Sequence, residues 1–220
     1  MVNKVALFTC AAVLILVAVQ SHSQDKHWTA AFKFGWNFFN DKPLGDLVGS
    51  TWSVAAEGVY WPGKSNFGIG GIYEFLYKTE PTSFEYGEVE TDLTQKKIHL
   101  NVFYIFDFIH HEDFALYGNA GISFVHTDLR IDVVYNKDYL ESHTIALPDN
   151  TLPDNTLPDT YVYHQGWKVG FNACVGLQYS IAFGEFRWVY VKDDLLAHEL
   201  FGTGRGTRLG GIQLWGGVRF

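Results

Sequence analysis

The sequence predicts an all-β protein in which eight antiparallel strands form an up-and-down β-barrel that crosses a membrane. Three observations predict this fold: an export segment at the amino terminus, eight segments with large apolar residues at every second position, and connections that alternate between short and long. A period of two is typical of β-strands with one apolar face. Alternating connection lengths are typical of transmembrane barrels, whose short turns all lie on one side of the membrane.

The composition excludes several classes of protein. The chain has 220 residues, which is the size of one domain. Its formal net charge of -8 argues against a nucleic-acid-binding surface, so we expect no nucleic-acid partner. Its 2 Cys exclude a disulfide scaffold and a cysteine-based zinc site. Aromatic residues, at 17%, exceed what a soluble core of this size needs, and they therefore require another location.

Residues 1–23 are predicted to be a secretory signal peptide. Lys4 gives a positive start, and an apolar run over residues 5–19 follows. This run is shorter than the roughly 20 residues of a membrane-spanning helix, and Ser21 and Ser23 permit cleavage before Gln24. We assign residues 24–220 to the barrel, with a long loop at about 127–161. An uncleaved membrane anchor is the alternative.

Eight segments of the remaining chain alternate between apolar and polar or small residues. They cover residues 30–38, 51–61, 67–78, 98–108, 114–124, 167–179, 185–190 and 212–220. In the first, Phe32, Phe34 and Trp36 share one face while Lys33 and Gly35 share the other. Because proline cannot donate to a strand ladder, it is expected between strands. The six prolines are placed there: Pro43, Pro62, Pro81, Pro148, Pro153 and Pro158.

The connections between these segments alternate in length. Short connections are predicted at 62–66, 109–113 and 180–184, and long ones at 40–50, 79–90, 127–161 and 193–206. All short turns therefore lie at one end of the sheet. A membrane explains closure, because no water is available there to satisfy an open sheet edge. Aromatic residues near the strand ends, such as Trp28, Trp52 and Tyr179, would form two girdles at the headgroup level.

Alternation alone does not choose between an outward and an inward apolar face. A secreted soluble β-sandwich or ligand-binding barrel would turn its apolar residues inward. The signal peptide, the unequal loops and the aromatic excess favour the membrane barrel.

The carboxyl terminus adds a more specific feature. Residues 214–220 end in an aromatic residue, and Leu214, Val218 and Phe220 share the apolar face. This pattern is similar to the assembly signal of small bacterial outer-membrane barrels of the OmpA/OmpX type, which the whole mature chain resembles. Trp215 stands where that family often has glycine. The resemblance implies outer-membrane location, lipid and the barrel-assembly machinery as partners, an extracellular partner for the loops, no cofactor, and a monomer. By the same analogy, we expect the barrel to present its extracellular loops in a structural, adhesion or envelope-integrity role.

The polar face predicts what fills the barrel. It places five charged residues in the lumen: Lys33, Glu57, Glu74, Lys168 and Arg187, with Asp107 and Arg219 near the inner mouth. An eight-stranded barrel is just wide enough for side chains to fill it, and charges in such a space are costly unless they are paired. We therefore predict a near-neutral salt-bridge network that plugs the lumen.

The polar loops leave an enzyme as an alternative function. Candidate acid–base groups at the outer rim are His126 with Asp128, Ser142 with His143, and Asp193–Asp194 with His198–Glu199. Spacing within loops does not show hydrogen-bond reach between them, so we assign no catalytic, cofactor or metal residue.

The third long loop contains three copies of a Leu-Pro-Asp motif, at residues 147–149, 152–154 and 157–159. Leu129, Ile131 and Val133 alternate with charged residues before it. We expect the fifth and sixth strands to continue beyond the membrane as a hairpin with this repeat at its tip.

Overall fold

The computed structural model describes residues 27–40, 45, 48–63, 65–84, 87–111, 114–135, 160–193 and 207–220. The described residues form nine β-strands: β1 (Trp28–Phe39), β2 (Thr51–Tyr60), β3 (Phe67–Phe84), β4 (Gly87–His111), β5 (Phe114–Tyr135), β6 (Thr160–Tyr179), β7 (Ala182–Asp193), β8 (Thr207–Arg208) and β9 (Gly211–Arg219). The predicted signal peptide and the Leu-Pro-Asp repeats lie outside the described residues.

Among the described residues, no helix has the length and apolar character needed to cross a membrane.

Eight of these strands close into one antiparallel barrel, as predicted. The strands β1 to β7 pair in order, β7 pairs with β9, and β9 returns to β1. The two-residue strand β8 pairs with the end of β7. Closure pairs the backbone groups of every neighbouring strand, which is the requirement for a sheet in lipid.

The apolar face of every barrel strand points outward. Phe171 is 64% exposed, whereas Lys33 on the opposite face is 3% exposed. The same contrast holds around the barrel, and its exposed apolar residues include Phe34, Trp36, Trp52, Ile69, Leu100, Val102, Ile122, Val169, Leu177, Trp188 and Leu214. The soluble alternative with an inward apolar face is therefore wrong. The outward band is the lipid-facing wall of a transmembrane barrel.

Aromatic rings mark both ends of this wall. Near the short turns, the Trp28 and Tyr60 rings lie 4.9 Å apart. Near the long loops, the Phe34 and Trp52 rings stack at 5.7 Å. Such rings are favoured at the membrane–water interface, where one side of the ring meets lipid and the other meets water.

The connection predicted at 79–90 is an error, because residues 79–84 and 87–90 are strand. β3 continues to Phe84 and β4 begins at Gly87, in one unbroken register. Pro81 therefore lies inside β3, not between strands. β2 stops pairing with β3 at Leu76, so Pro81 occupies an edge where no ladder hydrogen bond is required of it.

The end of β4 departs from simple alternation. Phe106 pairs with Leu116 and His110 pairs with Ala115, so β4 carries extra residues in a bulge. The side chains of Asp107 and Phe108, which alternation placed at the inner mouth and on the lipid face, lie outside the described set.

Above the membrane band, the apolar residues occupy the inward positions of the strands and the polar residues occupy the outward ones. In β5, Ile122 is exposed to lipid, but further along the strand Val125, Leu129 and Ile131 are buried and Arg130 is exposed. β4 changes sides in the same way, with Leu93 fully buried. The inward apolar side chains here form one cluster, the upper apolar layer: Val48, Leu76, Val89, Leu93, Val125, Leu129, Ile131, Val189, Val191 and Leu209.

The long strands therefore contain two environments. β4 has 25 residues and β5 has 22, whereas a strand needs about 9–11 to cross a membrane. The excess, together with the ends of β3 and β6, forms a sheet with a polar outside and an apolar inside, as in a soluble protein. We call this part the ectodomain: residues 78–84, 87–96, 126–135 and 160–165. By the rule that short turns face the periplasm, it lies outside the cell.

Replacement of a wall residue by a charged one should reveal the lipid-facing side. Phe171→Arg places a cation near the middle of the band, and we expect it to lower the free energy of unfolding by about 2–4 kcal/mol. Thr94→Arg, on the outward face of the ectodomain, should change it by less than about 0.5 kcal/mol. Urea unfolding in phospholipid vesicles measures both. Equal effects of the two variants would contradict the assignment of the wall to lipid.

Candidate functional site in the barrel interior

The inner half of the barrel holds a cluster of charges around Glu185. The Lys33 Nζ atom lies 2.7 Å from Glu185 Oε1 and 2.5 Å from Glu57 Oε2. Arg219 Nη2 lies 2.8 Å from Glu57 Oε1, and the Tyr117 hydroxyl donates to Glu185 Oε1 at 2.7 Å. We call this group the Glu185 cluster, and its members are Lys33, Glu57, Tyr117, Glu185, Arg187 and Arg219. Each member is buried, so the two carboxylates and three cations compensate one another away from water.

Strand register brings these residues together from β1, β2, β5, β7 and β9. Ala31 is the partner of Glu57 on one side and of Arg219 on the other, so Lys33, one inward position along β1, lies diagonal to both. The Arg219 guanidinium also lies 4.3 Å from the centre of the Tyr117 ring. Residues far apart in sequence thus become one cluster only when the barrel closes.

A second cluster lies around Glu74. Lys97 Nζ is 2.6 Å from Glu74 Oε1, Gln213 Nε2 donates to the same oxygen at 3.0 Å, and His99 Nε2 is 3.3 Å from Oε2. The Asn37 Oδ1 atom accepts from Lys97 at 3.3 Å and from Gln213. We call these five residues the Glu74 cluster. Lys97, Gln213 and His99 contact the Glu74 carboxylate, so both of its oxygens have hydrogen-bond partners inside the protein.

Amides and a hydroxyl continue the network on the β4–β5–β6 side. Asn101 donates to Asn119 at 2.7 Å and to Asn172 at 2.9 Å, and Asn172 donates to Ser123 Oγ at 3.0 Å. The Ser123 hydroxyl also lies 2.7 Å from His99 Nδ1, which joins this group to the Glu74 cluster.

Ser123, His99 and Glu74 have the connectivity of a hydrolytic triad, with the imidazole between a hydroxyl and a carboxylate. All three side chains have 0% exposure. Glu74 is already engaged by Lys97 and Gln213. A substrate has no access to the hydroxyl in this arrangement, so the three groups satisfy each other's hydrogen bonds within the core.

The charges do not cancel completely. The two clusters contain four cations and three carboxylates: Lys33, Lys97, Arg187 and Arg219 against Glu57, Glu74 and Glu185. Arg187 Nη2 lies 3.2 Å from Glu185 Oε2, while its Nε and Nη1 atoms have no hydrogen-bond partner among the described residues. Among the described side chains, the two clusters together therefore carry one positive charge in excess.

Apolar side chains also pack beside the charged clusters. The upper apolar layer lies toward the ectodomain. A second apolar cluster consists of Ala55, Val59, Trp61, Ile72, Phe103 and Trp215. The Trp61 ring lies 6.3 Å from the Phe103 ring, and its Nε1 donates to Thr29 Oγ1 at 3.1 Å. Ala55 is the register partner of Lys33 and of Glu74, and Trp215 is the partner of Glu185, so this second cluster packs among the charged residues.

The structure distributes the five predicted lumen residues over three places. Lys33, Glu57 and Arg187 lie in the Glu185 cluster, and Glu74 lies in the second cluster. Lys168 joins neither cluster: it contacts Asp193 at 3.1 Å, nearer the outer end, where His164 contacts the same carboxylate at 2.9 Å.

Sequence reasoning missed Lys97 and Glu185, which are central to the two clusters. Lys97 was missed because the fourth alternating segment was taken to begin at Ile98, which left residues 91–97 unassigned between it and the predicted loop at 79–90. Lys97 alternates in step with His99 and Asn101, so it belongs to the same polar face, and this pattern could have identified it. Glu185 was placed on the polar face, but the barrel partners that make it central come from other strands.

The proposed rim groups are not brought together within the described residues. The His126 ring packs on Trp167 at a centroid distance of 5.0 Å. Asp193 is engaged by His164 and Lys168. The other candidates, Ser142, His143, Asp194, His198 and Glu199, lie outside the described residues, and the described part contains no group of three metal-ligating side chains.

At the carboxyl terminus, Leu214 and Val218 point outward on β9. The Phe220 backbone continues the ladder, because its N–H donates to Ala30 O at 2.9 Å and its carbonyl accepts from Ala30 N at 3.1 Å. The last residue is thus part of the barrel seam.

Comparison with solved structures identifies proteins of similar architecture. Neisserial surface protein A (NspA) has 13% sequence identity and a TM-score of 0.51, with 90% of this chain and 98% of that chain covered. The attachment invasion locus protein Ail of Yersinia pestis has 11% identity and a TM-score of 0.46, with 87% and 98% covered. The amino-terminal barrel of Pseudomonas aeruginosa OprF has 12% identity and a TM-score of 0.40, with 90% and 100% covered.

No protein-family model matches the sequence, and no curated protein matches it. The likeness to NspA shows the fold: the chain forms a small eight-stranded antiparallel β-barrel of the kind found in that outer-membrane protein. Together with the lipid-facing wall, this fold places the protein in a bacterial outer membrane.

Removal of the Glu185 carboxylate should destabilise the barrel. Glu185→Gln leaves three buried cations with one fewer counterion, and we expect a loss of about 3–5 kcal/mol in the free energy of unfolding. Glu80→Gln, which breaks the exposed Lys78–Glu80 pair, is the control and should cost less than about 1 kcal/mol. Urea unfolding in vesicles measures both.

The double variant Glu185→Gln/Arg187→Gln separates charge from packing. It removes one positive charge as well, so it should be more stable than Glu185→Gln alone. A double variant as unstable as the sum of the two single variants would show that charge balance is not the cause.

Proposed function

We propose that the protein is an outer-membrane anchor with a plugged lumen that presents its ectodomain to a partner outside the cell, in an adhesion or surface-contact role. The observation that carries this proposal is that the apolar residues of β4 and β5 change from the outward face to the inward face beyond the membrane band. The extended part of these strands is therefore a folded sheet with a polar surface, above the membrane. A barrel whose strands ended at the bilayer would have loops alone on that side.

The plug is supported by the contents of the lumen. Two charged clusters fill the inner section, the upper apolar layer lies toward the ectodomain, and a second apolar cluster packs among the charged residues. An open aqueous channel requires a wider barrel, with about sixteen strands. The lumen in this proposal is a rigid support and not a path for ions.

The outer face of the ectodomain is polar and mostly acidic. Glu90, Asp92, Asp128 and Asp132 point outward, and the cation Arg130 is paired with Asp132 at 2.9 Å. A surface of this kind stays solvated and suits a partner that carries positive charge.

Assembly in the membrane is a further part of the proposal. We infer that Leu214, Val218 and Phe220 form the signal read by the barrel-assembly machinery. The outward direction of Leu214 and Val218 on the last strand supports this, as does the pairing of the Phe220 backbone with β1 at the seam. Within this proposal the mature chain, residues 24–220, acts as a monomer.

Planar-bilayer recording tests the plug. We expect the purified protein to show no long-lived open conductance, because charged and apolar side chains occupy the cross-section of the lumen. A porin recorded in the same lipid provides the positive control. A steady open level in each inserted molecule would contradict a plugged lumen.

A hairpin deletion tests the surface role. Thr127 and Gly166 are register partners, so residues 128–165 can be replaced by an Asn-Gly turn without altering the pairs below them. We expect bacteria that carry this variant to attach to host cells several-fold less than bacteria with the full chain. The control replaces only residues 136–159 by the same turn and keeps the paired hairpin.

Attachment and envelope integrity are distinguished by a second readout, the sensitivity of the same bacteria to detergent. Reduced attachment with unchanged detergent resistance supports the surface role. Unchanged attachment with increased sensitivity would overturn it in favour of an envelope-integrity role. A heat-dependent shift on SDS gels verifies that each variant has folded as a barrel.

A further inference from the structure

Two basic side chains lie next to each other on the outer surface, at the upper limit of the lipid-facing wall. Lys96 of β4 and His126 of β5 are register partners. Phe75 and Trp167 flank them on the neighbouring strands, so the row reads Phe75, Lys96, His126, Trp167. The row therefore has two basic side chains at its centre and an aromatic ring on each side.

The neighbouring rows define the depth of this pair. One row lower, toward the membrane centre, Ile98 and Phe124 are partners on the apolar wall. One row higher, Thr94 and Asp128 are partners on the polar face of the ectodomain. Lys96 and His126 thus lie in the first polar row above hydrocarbon, which is the level of the lipid headgroups.

Lys96 has no counterion within the described part of the chain. Its side chain is exposed, and it makes no hydrogen bond or ion pair there. Asp128, one row higher on the next strand, makes no ion pair with it. The exposed cations above it differ: Lys78 contacts Glu80 at 2.8 Å and Arg130 contacts Asp132 at 2.9 Å.

His126 offers a second polar group beside this ammonium. Its ring packs edge to face on Trp167, with centroids 5.0 Å apart, which fixes its position. Its Nδ1 atom is buried without a hydrogen-bond partner among the described residues, so the ring can meet a lipid headgroup only through Nε2. Neither side chain of the pair therefore uses its full polar capacity inside the protein.

We propose that Lys96 and His126 bind the phosphate group of a lipid in the outer leaflet. A lipid phosphate lies at the depth of this row, its charge complements the ammonium, and its acyl chains can pack on the aromatic and apolar rows beside and below. The site selects lipids with an exposed phosphate over zwitterionic lipids. It is separate from the interior clusters and from the surface role of the ectodomain.

Native mass spectrometry of the full chain in nanodiscs tests the proposal. The nanodiscs contain phosphatidylcholine with a minor fraction of phosphatidic acid, whose headgroup is a phosphate monoester. We expect the wild-type protein to retain phosphatidic acid preferentially, and Lys96→Ala to reduce that retention about fivefold. Lys96→Arg keeps the charge and should retain the lipid.

Arg130→Ala is the matched control, because it removes one exposed cation from the same outward face at a greater height above the membrane. It should leave retention unchanged. Equal loss in Lys96→Ala and Arg130→Ala, or undiminished retention in Lys96→Ala, would overturn the proposal. The heat-dependent gel shift shows whether each variant is folded.

Inorganic phosphate distinguishes a lipid site from a site for a soluble anion. Added in millimolar excess, it should leave phosphatidic acid retention unchanged, because the acyl chains contribute to binding. Displacement of the lipid by inorganic phosphate would instead assign the pair to a soluble anion and overturn the lipid assignment.

Discussion

Closure of the strand ladder is the constraint on which the other features depend. In hydrocarbon, an unpaired backbone N–H or carbonyl costs several kcal/mol, so the sheet must return to its own first strand. The seam between β1 and β9 meets this requirement, down to the backbone of Phe220. Once the sheet is closed, each strand has one face toward lipid and one toward a narrow interior, and the period of two in the sequence assigns side chains to these places.

The narrow interior sets the second condition, which is compensation of charge. Glu185 compensates the buried cations Lys33, Arg187 and Arg219, which lie on three strands. A buried ion pair contributes little net stability, but removal of one partner is costly. The clusters therefore act mainly to specify register: a one-residue slip of any of these strands would turn its charge toward lipid.

Beyond the bilayer, the apolar residues of β4 and β5 change from the outward to the inward face. Where lipid ends, water becomes the outer solvent, and the apolar face must turn inward to remain buried. Val125 and Leu129 are buried for this reason on the same strand that exposes Ile122 to lipid. One continuous strand thus serves as membrane wall and as soluble sheet, and the boundary row that contains Lys96 is where the two solvents meet.

The sequence by itself determined the number of barrel strands and placed Lys33, Glu57, Glu74 and Arg187 on the polar face, because alternation is a local property of the chain. Alternation did not determine which face meets lipid; the export segment and the unequal loops predicted it, and the exposure of the apolar residues confirms it. Nor did the sequence determine how far the strands run: residues 79–90 were assigned to a loop, whereas residues 79–84 of β3 pair with residues 87–92 of β4. It did not select the partners of Glu185 or the separation of Lys168 from the main clusters. The contacts of Glu185 join β1, β5, β7 and β9, and such distances exist only after the barrel has closed with a defined register.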